Sequence, residues 1–121
     1  MDARRLRDLA LHYVGRYATS KARLARYLTR KIREVGWAEG AQPLDVAALA
    51  QEFEELGYIS DSGYAQMRAN GLAGRGYGHR RIEADLRANG IEDSVRAELL
   101  RIGEDEGETD AFSADRLDAV D

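Results

Sequence analysis

The sequence predicts an all-α protein built from tandem three-helix units, and three observations carry that prediction. Apolar residues recur at helical spacing through most of the chain, and no segment sustains the alternation of a strand. Proline occurs once, at Pro43. Charged residues make up 33% of the 121 residues against 44% hydrophobic ones, which suits solvated amphipathic helices better than a sandwich or barrel.

In the first helix, Leu6, Leu9, Ala10, Tyr13 and Tyr17 follow one face. Ser20 is an N-cap for the second, in which Leu24, Leu28, Ile32 and Val35 share a face with Tyr27 at its edge. Gly36 can end that helix in the left-handed conformation. WAEGAQPLD then reads as a loop, and its Asp45 caps a third helix of Val46, Leu49, Ala50, Phe53 and Leu56, stopped by Gly57. Ser60 or Asp61 opens a fourth, through Tyr64, Met67, Arg68 and Leu72, followed by a flexible glycine-rich loop. A fifth carries Ile82 and Leu86 and ends at Asn89-Gly90. In the sixth, Glu92 and Asp93 suit the dipole of the first turn, and Val95, Leu99 and Ile102 face inward.

A weak repeat relates SKARLARYLTRKI to HRRIEADLRANGI: a basic first turn, then an apolar pair four apart (Leu24 and Leu28; Ile82 and Leu86). The expected organisation is a first three-helix unit over 1–57, a second over 58–102 and an acidic tail over 103–121. The tail is poor in apolar residues and is expected not to pack, apart from a nascent helix after Ser113. The expected shape is elongated or curved.

No cysteine is present, so disulfides and thiolate metal sites are excluded, and a reducing compartment is permitted. The N-terminus lacks an uninterrupted apolar stretch of signal-peptide type, and no run approaches the roughly 20 apolar residues of a membrane span. A cytoplasmic location is the expectation.

The net charge of -4 conceals a polarised chain. Ten basic residues stand among Met1–Trp37 against Asp2, Asp8 and Glu34, whereas eight acidic residues follow Gly103 against Arg116 alone. Screening limits each charge to about 10 Å of reach, so local charge decides what a surface can meet. In the second helix, with Leu24 at 0°, the apolar face spans about 0° to 80°, and Arg23, Arg26, Arg30 and Arg33 fall at about 180° to 260°. No acid lies between Ser20 and Arg33 to pair with them. The stripe is either a solvated face or a surface for a polyanion or an acidic protein.

The alternating glycines of GLAGRGYGHRRIEADLRANGI, Gly74, Gly76 and Gly78, raise the possibility of a phosphate loop. A dinucleotide fingerprint requires a preceding strand, and a P-loop requires Lys-Ser/Thr where this chain has His79-Arg80; neither condition is met. The fifth helix opens with His79, Arg80 and Arg81, the wrong charge for its own dipole. Two readings stand there: a receptor for phosphate or carboxylate together with Arg75, or an ordinary solvated turn. Tyr77 is the tyrosine placed to touch a partner; the others read as core-edge residues. His12 and His79 have no triad or ligand spacing, and the acidic clusters lack a calcium-loop pattern. Neither an enzyme, a cofactor, a metal nor a small-molecule substrate is expected.

These residues resemble the RecX family of recombinase regulators. RYATSKARLARYLTRKIREVGW approximates that family's first unit through Arg16, Ser20, Leu24, Leu28 and Gly36. LGYISDSGYAQMRANGLAGRGYGHRRIEADLRANGI is similar to its central unit. There Gly57, Tyr58, Ile59, Ser60 and Asp61 enter a helix, Arg68 precedes the glycine-rich turn, and Gly78, Arg81, Ile82, Leu86, Arg87, Gly90 and Ile91 complete the pattern. The resemblance runs from about Leu6 to Ile102. It implies a non-enzymatic protein that binds the RecA filament and modulates its strand exchange and ATPase, in the expected direction of inhibition, in recombination, DNA repair and the SOS response. Many members also bind DNA, single- or double-stranded. Members usually carry a third three-helix unit where this chain has its acidic stretch, and WAEGAQP is an insertion relative to the pattern. The residues expected to meet RecA or DNA are Arg23, Arg26, Arg30, Arg33, Arg75, Tyr77, His79, Arg80 and Arg81. An independent helical DNA-binding module is the alternative.

Overall fold

The computed structural model describes residues 1–106, with side chains through Arg101. The expected acidic tail beyond Glu106, the nascent helix after Ser113 and the inward side chain of Ile102 lie outside these. The protein is all-α: α1 (Ala3–Arg16), α2 (Lys21–Val35), α3 (Val46–Glu55), α4 (Asp61–Gly74), α5 (His79–Ala88) and α6 (Asp93–Glu106). The helix α6 extends into the acidic stretch. The chain divides into two compact units, Met1–Ser60 and the part from Asp61 onward.

In the first unit, capping sets where each helix begins. The Asp2 carboxylate accepts from Arg5 N–H, the Ser20 hydroxyl from Arg23 N–H, and the Asp45 carboxylate from Ala47 and Ala48 N–H. The core comprises Leu6, Ala10, Leu24, Leu28, Leu49, Ala50, Phe53 and Ile59, with α2 packed on both α1 and α3. Burying a side chain such as Leu24 or Leu28, both fully inaccessible, contributes about 1.5–3 kcal/mol. Polar ties add orientation. Arg7 donates to Glu52 across α1 and α3, which holds the Glu52 carboxyl below its usual range. Lys21 bonds Gln51 at 3.0 Å and Glu54 at 3.1 Å across α2 and α3. The inserted segment folds back too: Ala38 N–H donates to the Met1 carbonyl, and Trp37 Nε1 to the Gln42 carbonyl at 3.2 Å.

Three residues expected on inner faces here are outside. Val35 is exposed because α2 ends with it and the chain turns away at Gly36. Leu56 is exposed because the chain reverses at Gly57 and returns Ile59 to the place that Leu56 was expected to fill. Tyr17 caps the end of α1 and stands half in solvent.

The second unit is built differently. Its helix α4 buries Ala65, Ala69 and Ala73 at every fourth position, with Tyr64 and Leu72 beside them. This small-residue stripe allows close approach of α5, which brings Ile82 and Leu86, and of α6, which brings Leu99 and Leu100. Met67, expected inside, lies off that stripe and is exposed. Ile82 and Leu86 are fully buried, as are Leu24 and Leu28, so the sequence repeat marks equivalent core positions in the two units. Buried Arg96 donates to the Ile91 carbonyl and to Asp93, tying the start of α6 to the turn before it.

Candidate interfaces for an anionic partner

In the first unit, Arg23, Arg26 and Arg30 gather with Tyr13 and Tyr27 around a surface pocket of about 170 Å³ between α1 and α2. The spacing 23, 26, 30 brings the three guanidiniums onto one side of α2, close to the end of α1. The two rings stack, 4.1 Å between centroids and 21° between planes. Arg30 and Lys31 stand over the Tyr27 ring at 5.6 and 5.7 Å, and Arg30 and Lys31 both approach Glu34, at 3.8 and 3.5 Å. Arg33, expected in the same stripe, is exposed and lies one turn beyond the pocket. Sequence reasoning missed Tyr13 and Tyr27 as walls of this site; the available signal was tyrosine on both helices next to unpaired basic positions.

In the second unit, the expected flexible glycine loop is a closed helix cap. Gly74 still belongs to α4. After it, Tyr77 N–H donates to the Leu72 carbonyl at 3.1 Å and Gly76 N–H to the Ala73 carbonyl at 2.9 Å, with Gly76 at φ 94. This is the Schellman arrangement, which satisfies the last carbonyls of a helix and needs one left-handed residue. The same closure ends α3 (Tyr58 to Phe53, Gly57 to Glu54) and α5 (Ile91 to Leu86, Gly90 to Arg87). Gly76→Val is expected to lower the stability of the second unit by at least about 1–2 kcal/mol, because a β-branched side chain resists left-handed backbone. Urea melts followed by circular dichroism would show it, and an unchanged midpoint would mean the turn does not depend on Gly76.

The cap positions the charges that follow. Tyr77 packs partly into the core, and its ring carries Arg81 at 4.7 Å and Arg75 at 5.8 Å. The helix α5 starts at His79 after a buried Gly78 that supplies no side-chain cap, and its first turn holds no acid. His79 is partly buried, whereas Arg80 and Arg81 are exposed. Arg75, Tyr77, Arg80 and Arg81 are therefore brought together at one corner, and His79 sits behind them.

A second arginine of this region faces inward. Arg68 of α4 donates two bonds to the Asp85 carboxylate of α5, each 2.8 Å. Asn89 Nδ2 adds a bond of 3.1 Å to that carboxylate, and the Tyr64 hydroxyl reaches Asn89 Oδ1 at 3.5 Å. The hydrogen bonds from Arg68 hold the Asp85 carboxyl below its usual range. The network fixes α5 on α4 and so fixes where Arg80 and Arg81 point. Among the described residues, no group of three or more His, Asp and Glu side chains could hold a metal ion, and no helix is long and apolar enough to cross a membrane.

Comparison with known proteins bears on what these surfaces meet. Residues 60–100, nearly the whole second unit as described, match the sequence model "RecX, second three-helix domain". A regulatory protein RecX of Myxococcus xanthus is 36% identical over 99 residues, covering 78% of this chain and 53% of that protein. A regulatory protein RecX of Chromohalobacter salexigens is 31% identical over 94 residues, covering 78% of this chain and 57% of that protein. The chain thus spans about half the length of these curated relatives. No solved structure gives a significant match.

Proposed function

The chain belongs to the RecX family, and from that premise we propose that it binds the RecA filament and restrains its strand exchange and ATPase in recombination, DNA repair and the SOS response, acting in the cytoplasm and without catalysis of its own. The observation that carries this reading is the family match over the second unit, whose exposed corner presents Arg75, Tyr77, Arg80 and Arg81. Guanidiniums at an uncapped helix start suit carboxylates of a protein surface and phosphates alike. Arg23, Arg26, Arg30 and Arg33 of the first unit and His79 belong to the same proposed contact surface.

The test is DNA-stimulated ATP hydrolysis and strand exchange by RecA with and without the protein. Inhibition at saturating protein is the expected result, and no effect on RecA would sink the reading. Replacing Arg75, Arg80 and Arg81 together with alanine should leave helicity and melting nearly unchanged and weaken the effect on RecA by at least about tenfold, the equivalent of roughly 1.4 kcal/mol. Unaltered potency of that variant would make the corner a solvated turn.

A second reading is a helical DNA-binding module acting without RecA, and the three-arginine pocket of the first unit favours it. It predicts DNA binding that weakens steeply with salt while RecA is unaffected.

A further inference from the structure

The pocket between α1 and α2 contains more chemistry than a positive patch needs. We propose that it is a subsite for one backbone phosphate of a single nucleic-acid strand, and that the Tyr17 ring beside it receives the adjoining base. This deepens the reading of the α2 arginines as partner-facing and rests on that reading, though not on the partner being a recombinase filament.

Size is the first argument. The pocket measures about 170 Å³, room for a phosphate and a few waters at about 30 Å³ each, and too small for a folded protein element. Charge is the second. Three arginines line it and no carboxylate does, so an anion seated there meets guanidinium donors from Arg23, Arg26 and Arg30.

The rings supply the third argument. Tyr13 and Tyr27 are already committed to each other, with cations over Tyr27, and serve as walls. Tyr17 is different. It is 52% exposed and touches Tyr13 only in a tilted contact at 5.1 Å. It therefore offers a π-face immediately beside the phosphate pocket, with Arg16 near it at 5.8 Å. A basic groove flanked by an open aromatic ring is how proteins hold single strands without reading sequence. A duplex keeps its base faces stacked inside and cannot use Tyr17. An acidic peptide satisfies the arginines but brings no base to the ring.

The experiment measures fluorescence anisotropy of labelled oligothymidylate with the full chain, without recombinase, across a salt series. Arg26→Ala with Arg30→Ala should make the slope of log affinity against log salt shallower by about 0.7, one phosphate's worth on a single strand. Arg26→Lys with Arg30→Lys should keep that slope, because charge is retained, and thermal melts of both variants show that the fold persists. Tyr17→Ala should weaken oligothymidylate binding about tenfold or more, and should leave an abasic strand of equal length or a duplex unaffected.

The proposal is overturned if oligothymidylate does not bind, if the arginine variants leave the salt slope unchanged, or if Tyr17→Ala weakens the abasic strand equally. It is also overturned if polyglutamate of equal charge displaces the oligonucleotide as well as unlabelled oligothymidylate does. Failure of the recombinase reading looks different: oligonucleotide binding behaves as stated, while RecA-catalysed ATP hydrolysis does not respond to the protein.

Discussion

Phe53→Ala is expected to destabilise the first unit by about 3–5 kcal/mol. That is a large share of the 5–15 kcal/mol that holds a typical domain together. Phe53 has no accessible surface, meets Tyr58 edge-on at 5.2 Å, and carries the Arg7 guanidinium at 5.6 Å. Truncation removes the largest side chain of the core formed by Leu6, Leu24, Leu28 and Leu49. It also strips Arg7 of the surface that positions it for Glu52. Trp37 is the only tryptophan in the chain and packs on this core, so urea titration followed by its fluorescence reports the first unit directly. A midpoint within error of wild type would mean that Phe53 does not anchor the unit.

The second large effect is expected at Asp85. Asp85→Asn removes the charged acceptor of the two bonds from Arg68 and should destabilise the second unit by about 2 kcal/mol at neutral pH, in the range for hydrogen bonds to charged groups. The pH dependence follows from the direction of its shift. The folded-state pKa lies below the ordinary 3.8, chiefly because Arg68 donates to the charged form. The unfolded chain therefore takes up its proton first, and the stabilisation is complete above that ordinary value. It is lost as pH falls through the lower folded-state value. Thermal melts of wild type and Asp85→Asn should differ at pH 7 and converge in strong acid. A gap that persists unchanged in acid would assign the loss to packing instead of the ion pair.

Much of the fold is legible in the sequence because local rules and tertiary demands agree. Ser20 and Asp45 cap the helices that their positions suggest, and the pair Leu24–Leu28 and its counterpart Ile82–Leu86 are buried to the same degree. Where the reading departs from the structure, chain reversals decide. Leu56 satisfies the helical period, but the turn at Gly57 delivers Ile59 to the core instead. Periodicity weighs large apolar residues, so it selected Met67 and passed over Ala65, Ala69 and Ala73, whose value lies in letting helices approach closely.

The candidate interfaces were legible as charge and less so as shape. The stripe Arg23, Arg26, Arg30 and Arg33 is visible on a helical wheel. Which three of its members share a pocket depends on where α1 delivers Tyr13, a tertiary fact that no single-helix pattern contains. Arg68 and Arg81 look alike in the sequence. One is consumed in holding α5 on α4 and the other stands outward on Tyr77, and only the position of Asp85 separates them.

The three glycine closures have a consequence for how the chain finds its fold. Each is made between residues five apart in sequence, Phe53 with Tyr58, Leu72 with Tyr77, and Leu86 with Ile91. Three chain reversals, those ending α3, α4 and α5, are therefore decided locally, before any distant contact exists. A loop that short costs little closure entropy, and topologies dominated by such near contacts fold on microsecond to millisecond timescales. The glycines thus act on the folding rate as well as on the final geometry, by shortening the search that brings each following helix back onto the one before it.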